Sequence, residues 1–350
     1  MHRINGQMPG WKVLAHKVLS WITHAKRDLT IEELRHALAI STAKCQLDDG
    51  DFYHVDDMVA ACAGLVTLDK TSNIIRFIHY TTQEYFNEWP EELHLMTEKD
   101  IAKACVSYLS FDSFARYERW AFDFPFYSYA AKNWGHHART SLISCVELAR
   151  FFSKEVLVQA SVLELMRGIY RPMRVTKLHL ATYFGTATVV QEMLENELGA
   201  DPSDDIGRTP LSYAANHGHE LVILLLLGKG AKVDQASTSL KYKVGGRTPL
   251  SYAAEHGHKV ATRILIDNGA DLNSSCNTVD QGRWTPLHFA VDQGHVAIVQ
   301  LLLERGAACA DSYGTALPLA VSRGHKAIIH LLLEDGANIE SRSHRGQTSL

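Results

Sequence analysis

The chain has 350 residues, 46% of them hydrophobic, and its 35 Lys and Arg side chains nearly balance 39 Asp and Glu, which gives a formal net charge of -4. This length and apolar content exclude a disordered chain and allow two domains, each with its own buried core. The charge balance excludes the basic excess that a nucleic-acid backbone requires, so we expect no nucleic-acid partner.

The cysteines and the hydropathy pattern indicate a compartment. No Cys-x-x-Cys pair occurs, and most cysteines have apolar neighbours, which favours buried free thiols in a reducing compartment over disulfides. The six are Cys45, Cys62, Cys105, Cys145, Cys276 and Cys309. No window reaches the roughly 18 apolar residues of a membrane span, and the N-terminus lacks the apolar core of a signal peptide. We expect a cytoplasmic protein without a membrane partner, with the nucleus as the alternative location.

The first 92 residues have the pattern of a small helical domain with one hairpin. Helices are expected at residues 11–27, after the capping box Thr30-Ile-Glu-Glu33, and at residues 55–63. Two β-rich runs, Leu65-Val-Thr-Leu and Ile74-Ile-Arg-Phe-Ile, surround a turn segment and predict a hairpin. Three helices and a hairpin predict a winged-helix-like module over residues 1–92.

A helical connector is expected from residue 93 to residue 170. Helical patterns occur at residues 80–92, 100–111, 127–139 and 142–168. The aromatic run from Trp120 to Tyr129, which includes Phe122, Phe124, Phe126 and Tyr127, is interpreted as core packing, with an exposed partner site as the alternative.

One phrase recurs through the second half of the chain. It reads Thr209-Pro-Leu-Ser-Tyr-Ala-Ala, Thr248-Pro-Leu-Ser-Tyr-Ala-Ala and Thr285-Pro-Leu-His-Phe-Ala, with looser copies from Thr176, Thr315 and Thr348. The spacings between successive copies are 33, 39, 37, 30 and 33 residues. Copies lead to a Gly-His step, as at Gly218-His219, and units close with a Gly-Ala step, as at Gly230-Ala231.

Each part of this phrase has a physical meaning. Thr before Pro begins a helix where the missing proline N–H carries no penalty. Gly218 and Gly230 permit the left-handed backbone that ends a helix. Each unit therefore predicts two helices and a hairpin, and a unit this small buries its apolar face only by stacking on its neighbours.

The period and the Thr-Pro-Leu-His-x-Ala phrase closely resemble the ankyrin repeat. The resemblance covers residues 171–350 and implies five repeats and a truncated sixth, which we interpret as an incomplete sequence. The first repeat, with Gly185-Thr186 in place of Gly-His, is expected to be transitional. Extra residues before Thr248 and Thr285 are expected to lengthen the hairpins there. The shorter spacing before Thr315 is expected to shorten the hairpin at that place.

The first half resembles the segment that follows the nucleotide-binding NACHT domain in fungal NACHT–ankyrin proteins, a branch of the STAND NTPases. The matching blocks are Val18-Leu19-Ser-Trp21-Ile22, Arg27-Asp-Leu29-Thr30, Glu33-Leu34, Ala60-Ala-Cys-Ala-Gly64-Leu65-Val66, His79-Tyr80-Thr81-Thr82-Gln-Glu84-Tyr85-Phe86 and Trp134-Gly-His-His-Ala-Arg139. The resemblance implies the sensor or regulatory part of a nucleotide-driven switch. The phosphate loop itself is absent from this sequence, and Gly228-Lys229 lies at the end of a repeat helix, so we predict no nucleotide and no other cofactor.

In ankyrin stacks the residue before each Thr-Pro-Leu and the two before each Gly-His vary on the concave face. These positions here are Arg208, Asn216, His217, Arg247, Glu255, His256, Trp284, Asp292, Gln293, Ser322 and Arg323. Because Arg and Trp often dominate interfaces, we expect Arg208, Arg247 and Trp284 to carry the contact with a protein partner, with solvated or hairpin-packing roles as the alternative. Trp284→Ala with Arg247→Ala is then expected to weaken partner capture without unfolding the stack.

Other functions find less support in the sequence. A DNA-binding regulator is the alternative function, but the third helix of the winged-helix-like module presents Asp56 and Asp57 and no basic residue. The histidines of the Gly-His steps are interpreted as structural because they recur at one repeat position without a zinc ligand pattern. No nucleophile elbow or His-Glu-x-x-His motif occurs. The sequence predicts a mainly α-helical protein-interaction scaffold that is not an enzyme and has no small-molecule substrate.

Overall fold

The computed structural model describes most of the chain in two compact units, Met1–Pro172 and Met173–Leu350. The described residues are 1–40, 46–88, 96–115, 124–141, 143–166, 174–196, 199–238, 245–278, 282–308 and 316–341. Several sequence predictions lie outside them: those on Cys45, Trp120, Phe122 and Cys309, the shortened hairpin before Thr315 and the truncated sixth repeat.

The first unit is helical with one two-stranded sheet. Its helices are α1 His2–Asn5, α2 Pro9–His24, α3 Ile31–Ala39, α4 Val55–Ala61, α5 Tyr80–Glu88, α6 Glu98–Leu109, α7 Tyr127–Arg139, α8 Cys145–Phe152 and α9 Glu155–Leu165. Strands β1 (Val66–Asp69) and β2 (Ile74–Phe77) pair antiparallel, with Val66 opposite Phe77. The predicted three helices and hairpin are confirmed.

Local capping fixes the start of α3. The Thr30 hydroxyl accepts a hydrogen bond from the Glu33 amide, and the Glu33 carboxylate accepts one from the Thr30 amide, as the capping box predicts. Arg27 pairs with the same carboxylate through two bonds of 2.8 and 2.5 Å. An isolated bridge joins Thr30 to Ile74, so the start of α3 is tied to the sheet.

Aromatic side chains fill the core of the first unit. The Trp21 ring meets Phe126 and Tyr129 edge-on, with centroids 5.4 and 6.3 Å apart. Phe124 contacts Phe114 with centroids 4.8 Å apart. The described part of the aromatic run therefore packs in the core, as predicted.

The second unit consists of paired helices in a stack. The first helices of the five repeats, called inner helices, are α10 Lys177–Phe184, α12 Pro210–His217, α14 Pro249–Glu255, α16 Pro286–Asp292 and α18 Ala316–Arg323. The second, called outer helices, are α11 Ala187–Glu195, α13 Glu220–Gly228, α15 Lys259–Asp267, α17 Val296–Glu304 and α19 Lys326–Glu334. Inner helices pack on inner helices and outer helices on outer ones, which confirms the predicted solenoid.

The repeated phrase builds each inner helix as expected. Thr209 and Thr248 are N-caps, each followed by Pro at the first helical position. Gly218 ends α12 with φ of 66°. The apolar spine is continuous, because the leucine that follows each Pro is buried, as Leu211 and Leu250 show.

One lengthened hairpin is visible between the third and fourth repeats. Strands β3 (Cys276–Thr278) and β4 (Gly282–Trp284) pair antiparallel, with Cys276 opposite Trp284. The extra residues before Thr285 thus extend the hairpin, as predicted. No helix within the described ranges is long and apolar enough to cross a membrane.

Candidate functional site

The predicted contact positions fall into an exposed group and a packed group. Among the eight positions before the Gly-His steps, the side chains of His256, Gln293, Ser322 and Arg323 are exposed, and those of Asn216, His217, Glu255 and Asp292 are half-buried. The three positions before the Thr-Pro-Leu phrases are more enclosed. Trp284 is 6% exposed, and the Arg208 and Arg247 side chains are 18% and 11% exposed.

Arg208 is held inside its own repeat. Its Nε donates to the Asp204 carboxylate at 2.9 Å, and one terminal nitrogen donates to the Tyr213 hydroxyl at 2.6 Å. The guanidinium also lies 4.5 Å from the centre of the Tyr213 ring. Asp204 accepts further bonds from the amides of Ile206 and Arg208, so this carboxylate organises the segment before α12. The segment that precedes each inner helix is called its finger.

Arg247 is clamped between two repeats. Its guanidinium carbon lies 4.1 Å from the centre of the Tyr252 ring and 4.3 Å from that of Phe289 in the next repeat. A terminal nitrogen donates to Glu255 at 2.5 Å. A cation placed between two ring faces gains a cation–π attraction on both sides, and this attraction strengthens as water is excluded. Arg247 therefore joins the third repeat to the fourth.

Trp284 packs against the hairpin and its own helix. Its ring lies 5.1 Å from Phe289 and 6.2 Å from His288, and it forms a small buried cluster with Cys276 and Phe289. The expectation that Trp284 and Arg247 are free to touch a partner, and removable without effect on folding, does not fit this burial. The alternative role, hairpin packing, describes their contacts.

The half-buried acids are engaged by basic neighbours. Arg323 donates to the Asp292 carboxylate of the preceding repeat at 2.7 Å, and Glu255 is the partner of Arg247. His256 donates to the Tyr252 carbonyl at 3.0 Å. The ionised groups on this face are thus mostly paired, and the exposed surface is polar without a dominant sign.

The Gly-His histidines form a ladder along the stack. Each Nε2–H donates to a main-chain carbonyl of the preceding repeat: His219 to Tyr183 at 2.9 Å, His258 to Asn216 at 3.0 Å, His295 to Glu255 at 2.9 Å and His325 to Asp292 at 3.3 Å. Each ring also lies against the glycine of the preceding repeat. A Cβ built on Gly218 meets the His258 ring at 2.5 Å. This ladder is a positive structural role for the repeated histidine.

A second histidine position caps the inner helices. His179 Nδ1 accepts a hydrogen bond from the Thr176 amide at 3.2 Å, and its Nε2–H donates to the Arg208 carbonyl of the next repeat at 3.1 Å. His288 accepts the equivalent bond from Thr285. Burial lowers the pKa of His179 to about 4, because the charged ring loses its hydration. Across the described residues no group of His, Cys, Asp and Glu side chains has the arrangement of a metal site.

Two models of known protein families match this sequence. A family model for ankyrin repeats matches in overlapping copies at residues 129–237, 178–276, 236–310 and 274–343. The chain belongs to the ankyrin-repeat family. The ankyrin match begins at residue 129, earlier than the start at 171 expected from the phrase. A second model, described as the winged helix domain of GPI inositol-deacylase, matches residues 4–94, which confirms the winged-helix module.

One curated protein is similar in sequence to part of this chain. The azaphilone pigments biosynthesis cluster protein L of Monascus ruber is 26% identical over 264 residues, which is 62% of this chain and 55% of the relative. The chain spans about half the length of that protein.

The residues that sequence reasoning missed are those that support the ankyrin fingers. Tyr213, Tyr252 and Phe289 are the fifth residue of each repeated phrase, and each lies beside an arginine or tryptophan from the preceding finger. Their shared position was a signal in the sequence. The pairing of rings with guanidinium groups needed the stacked geometry.

Proposed function

We propose that this chain is a protein-interaction scaffold whose concave ankyrin face binds a protein partner. The observation that carries the proposal is the row of exposed, chemically varied side chains His256, Gln293 and Arg323 at equivalent positions of three consecutive repeats, with the exposed Ser322 beside Arg323. Beneath this row the support residues are packed and hydrogen-bonded, so the face is preorganised and loses little side-chain freedom on binding. Ankyrin repeats are non-catalytic modules, in keeping with a binding function.

We further propose that the chain acts as the sensor or regulatory part of a STAND-type signalling protein in the cytoplasm. The support is the order of the modules: a winged-helix match at residues 4–94 precedes the repeats, as in the NACHT–ankyrin proteins that the sequence resembles. Its parts are a winged-helix-like module at 1–92, a helical connector at 93–170 and the repeats from 171. The repeats then supply partner recognition, and the first half transmits it.

A capture experiment with surface variants tests the binding face. The full chain is used as bait for cross-linking and recovery of partners from the cells that express it, beside a variant with His256→Ala, Gln293→Ala and Arg323→Ala. We expect the variant to lose the recovered protein while its thermal unfolding stays within a few degrees of the parent, because these side chains are exposed.

A matched control separates this face from the rest of the stack. Gln300→Ala with Lys326→Ala changes exposed residues on the outer helices α17 and α19. The control is expected to recover the same partner. Loss of the partner in the control, or its retention in the concave-face variant, would count against the concave face.

A further inference from the structure

The most exposed apolar side chains of the described outer helices lie on α13 and α15. Leu221 and Leu224 of α13 are 68% and 48% exposed, and Val260 of α15 is 49% exposed. Leu221 and Val260 occupy the same position, the second after the Gly-His histidine, on neighbouring helices that pack side by side. These three side chains are called the outer patch.

The fold does not require leucine at these positions. The position of Leu224 is held by Gln191, Arg263, Gln300 and His330 in the other four outer helices, and all four are exposed. Four helices of the same stack therefore form with a polar residue there. The leucine exposes apolar area to water, and such a patch marks an interaction surface.

Exposed charges border the outer patch on opposite sides. Glu220 begins α13, and Lys259 and Arg263 lie on α15. All three side chains are exposed. The α13 side of the patch is thus acidic and the α15 side basic. A surface with this polarity is complementary to itself.

We propose that the outer patch is the contact of a two-fold symmetric dimer of this chain. With the axis parallel to the helices and midway between α13 and α15, α13 of one copy faces α15 of the other. Glu220 then faces Lys259, and Leu221 faces Val260, on both sides of the axis. The perpendicular axis would place the basic rows of the two copies against each other, so the charges select the first arrangement.

The size of the outer patch sets the strength of the contact. Its exposed apolar area is on the order of 300 Å², below the roughly 800 Å² per partner of a standard stable interface. The proposed dimer is therefore weak and reversible, and its association is measured at protein concentrations of roughly 1–100 µM.

Sedimentation velocity of the full chain across that concentration range tests the contact. The parent is expected to shift from monomer to dimer, and Leu221→Ser with Leu224→Ser to raise the dissociation constant at least about tenfold. Leu333→Ser on α19, where the leucine is 39% exposed, is the matched control and keeps the parent value. A parent that stays monomeric throughout, or a patch variant that dimerises as the parent does, overturns the proposal.

A charge exchange tests the arrangement of the two copies. Glu220→Lys alone and Lys259→Glu alone each weaken the dimer, because each places like charges in contact across the axis. The double variant restores the opposite-charge pair and recovers most of the association. If the two single effects simply add in the double variant, the proposed facing of α13 and α15 is wrong. Circular dichroism melts verify that each variant is folded.

Discussion

A few side chains determine how one repeat registers on the next. The glycines of the first three Gly-His steps have a left-handed backbone, with φ of 66° at Gly218 and 79° at Gly257, and the histidine of the following repeat lies against each of them. The missing side chain thus serves two purposes, because it permits the turn and makes room for the ring. The same ring donates a hydrogen bond to a carbonyl near that turn, so geometry and polarity are satisfied together.

Two glycine variants separate these purposes. Gly230 also has positive φ, at 83°, but a Cβ there meets no atom within 4 Å, whereas at Gly218 it meets the His258 ring. Gly230→Ala is expected to lower the free energy of unfolding by about 1 kcal/mol. Gly218→Ala is expected to lower it by about 3 kcal/mol, because the overlap adds to the backbone strain. Urea denaturation measures both, and equal losses would contradict the role of the ring.

The buried cap His179 predicts a dependence of stability on pH. Its folded pKa of about 4 lies below the ordinary 6.5, so the unfolded chain binds the proton more readily between these values. The stability contributed by the neutral ring is complete above pH 6.5 and is lost as the pH falls toward 4, by up to roughly 3 kcal/mol. Denaturation at several pH values is expected to show a smaller loss for His179→Gln, which keeps a donor and an acceptor but does not titrate. An identical pH dependence in both proteins would exclude His179 as the cause.

At the scale of elements, fingers and inner helices are joined by rings and guanidinium groups. Arg247 bridges Tyr252 and Phe289, and Trp284 covers Phe289 from its own finger. Each finger is thereby fixed on the helix beside it. The enclosed residues hold the fingers in place, and the exposed residues at the ends of the inner helices face solvent.

Trp284→Ala is therefore expected to be a stability variant. Loss of a nearly buried indole leaves a cavity between the hairpin β3–β4 and α16, and we expect a loss of about 3 kcal/mol. Gln293→Ala, an exposed change in the same repeat, is expected to stay within about 0.5 kcal/mol of the parent. Differential scanning calorimetry distinguishes them, and an unchanged melting temperature for Trp284→Ala would contradict the packing role.

A partly buried hydrogen-bond network ties three elements of the first unit. The Lys26 amide donates to the Tyr129 hydroxyl at 3.0 Å, and the hydroxyl bonds His137 Nε2 at 2.8 Å. His137 Nδ1 in turn bonds Glu98, which also accepts from the Lys26 ammonium at 2.8 Å. Burial opposes the charge of Glu98, but the bonds from His137 and Lys26 lower its pKa to about 2. These hydrogen bonds connect the end of α2 with α6 and α7.

Tyr129→Phe tests that network. Removing the hydroxyl leaves the Lys26 amide and the His137 ring nitrogen without their partner, and we expect a loss of about 2 kcal/mol in the stability of the first unit. Tyr80→Phe is the control, since Tyr80 is 74% exposed. Tryptophan fluorescence during urea unfolding follows the change, because Trp21 lies beside Tyr129. Equal stability of the two variants would show that the bond is not needed.

At the scale of the whole molecule, the chain folds into two units that are stabilised in different ways. The first closes around an aromatic core, and the second extends by adding equal repeats. In the winged-helix module, α4 carries Asp56 and Asp57 in its first turn and no basic residue in its last. Carboxylates at that place would repel phosphates.

We therefore expect the full chain not to bind duplex DNA. Fluorescence anisotropy of a labelled duplex of roughly 20 base pairs at low salt should stay at the free-DNA value as protein is added. Binding that weakens steeply with added salt would instead support a DNA-binding regulator.

Much of the local structure followed from the sequence because its causes are local. The capping box at Thr30 and Glu33, the hairpin around residues 69–73 and the start of α12 at Thr209 depend on neighbours within a few positions. The shared repeat position of His256 and Gln293 also followed, since each directly precedes the glycine of a Gly-His step. The enclosure of Arg247 and Trp284 did not, because it depends on residues of other elements and on the angle between finger and helix.

The sequence by itself determined the repeat, its period and the places where the inner helices of the repeats begin, because Thr and Pro act on the backbone within one turn. Only the tertiary structure decided which of the variable side chains face solvent. The charge and the repeat position of Arg208 and Arg247 are those expected of contact residues. In the folded stack, however, aromatic rings and carboxylates enclose both side chains. Likewise, the sequence of α13 does not show which of its leucines are exposed, because their exposure depends on how the neighbouring helices pack.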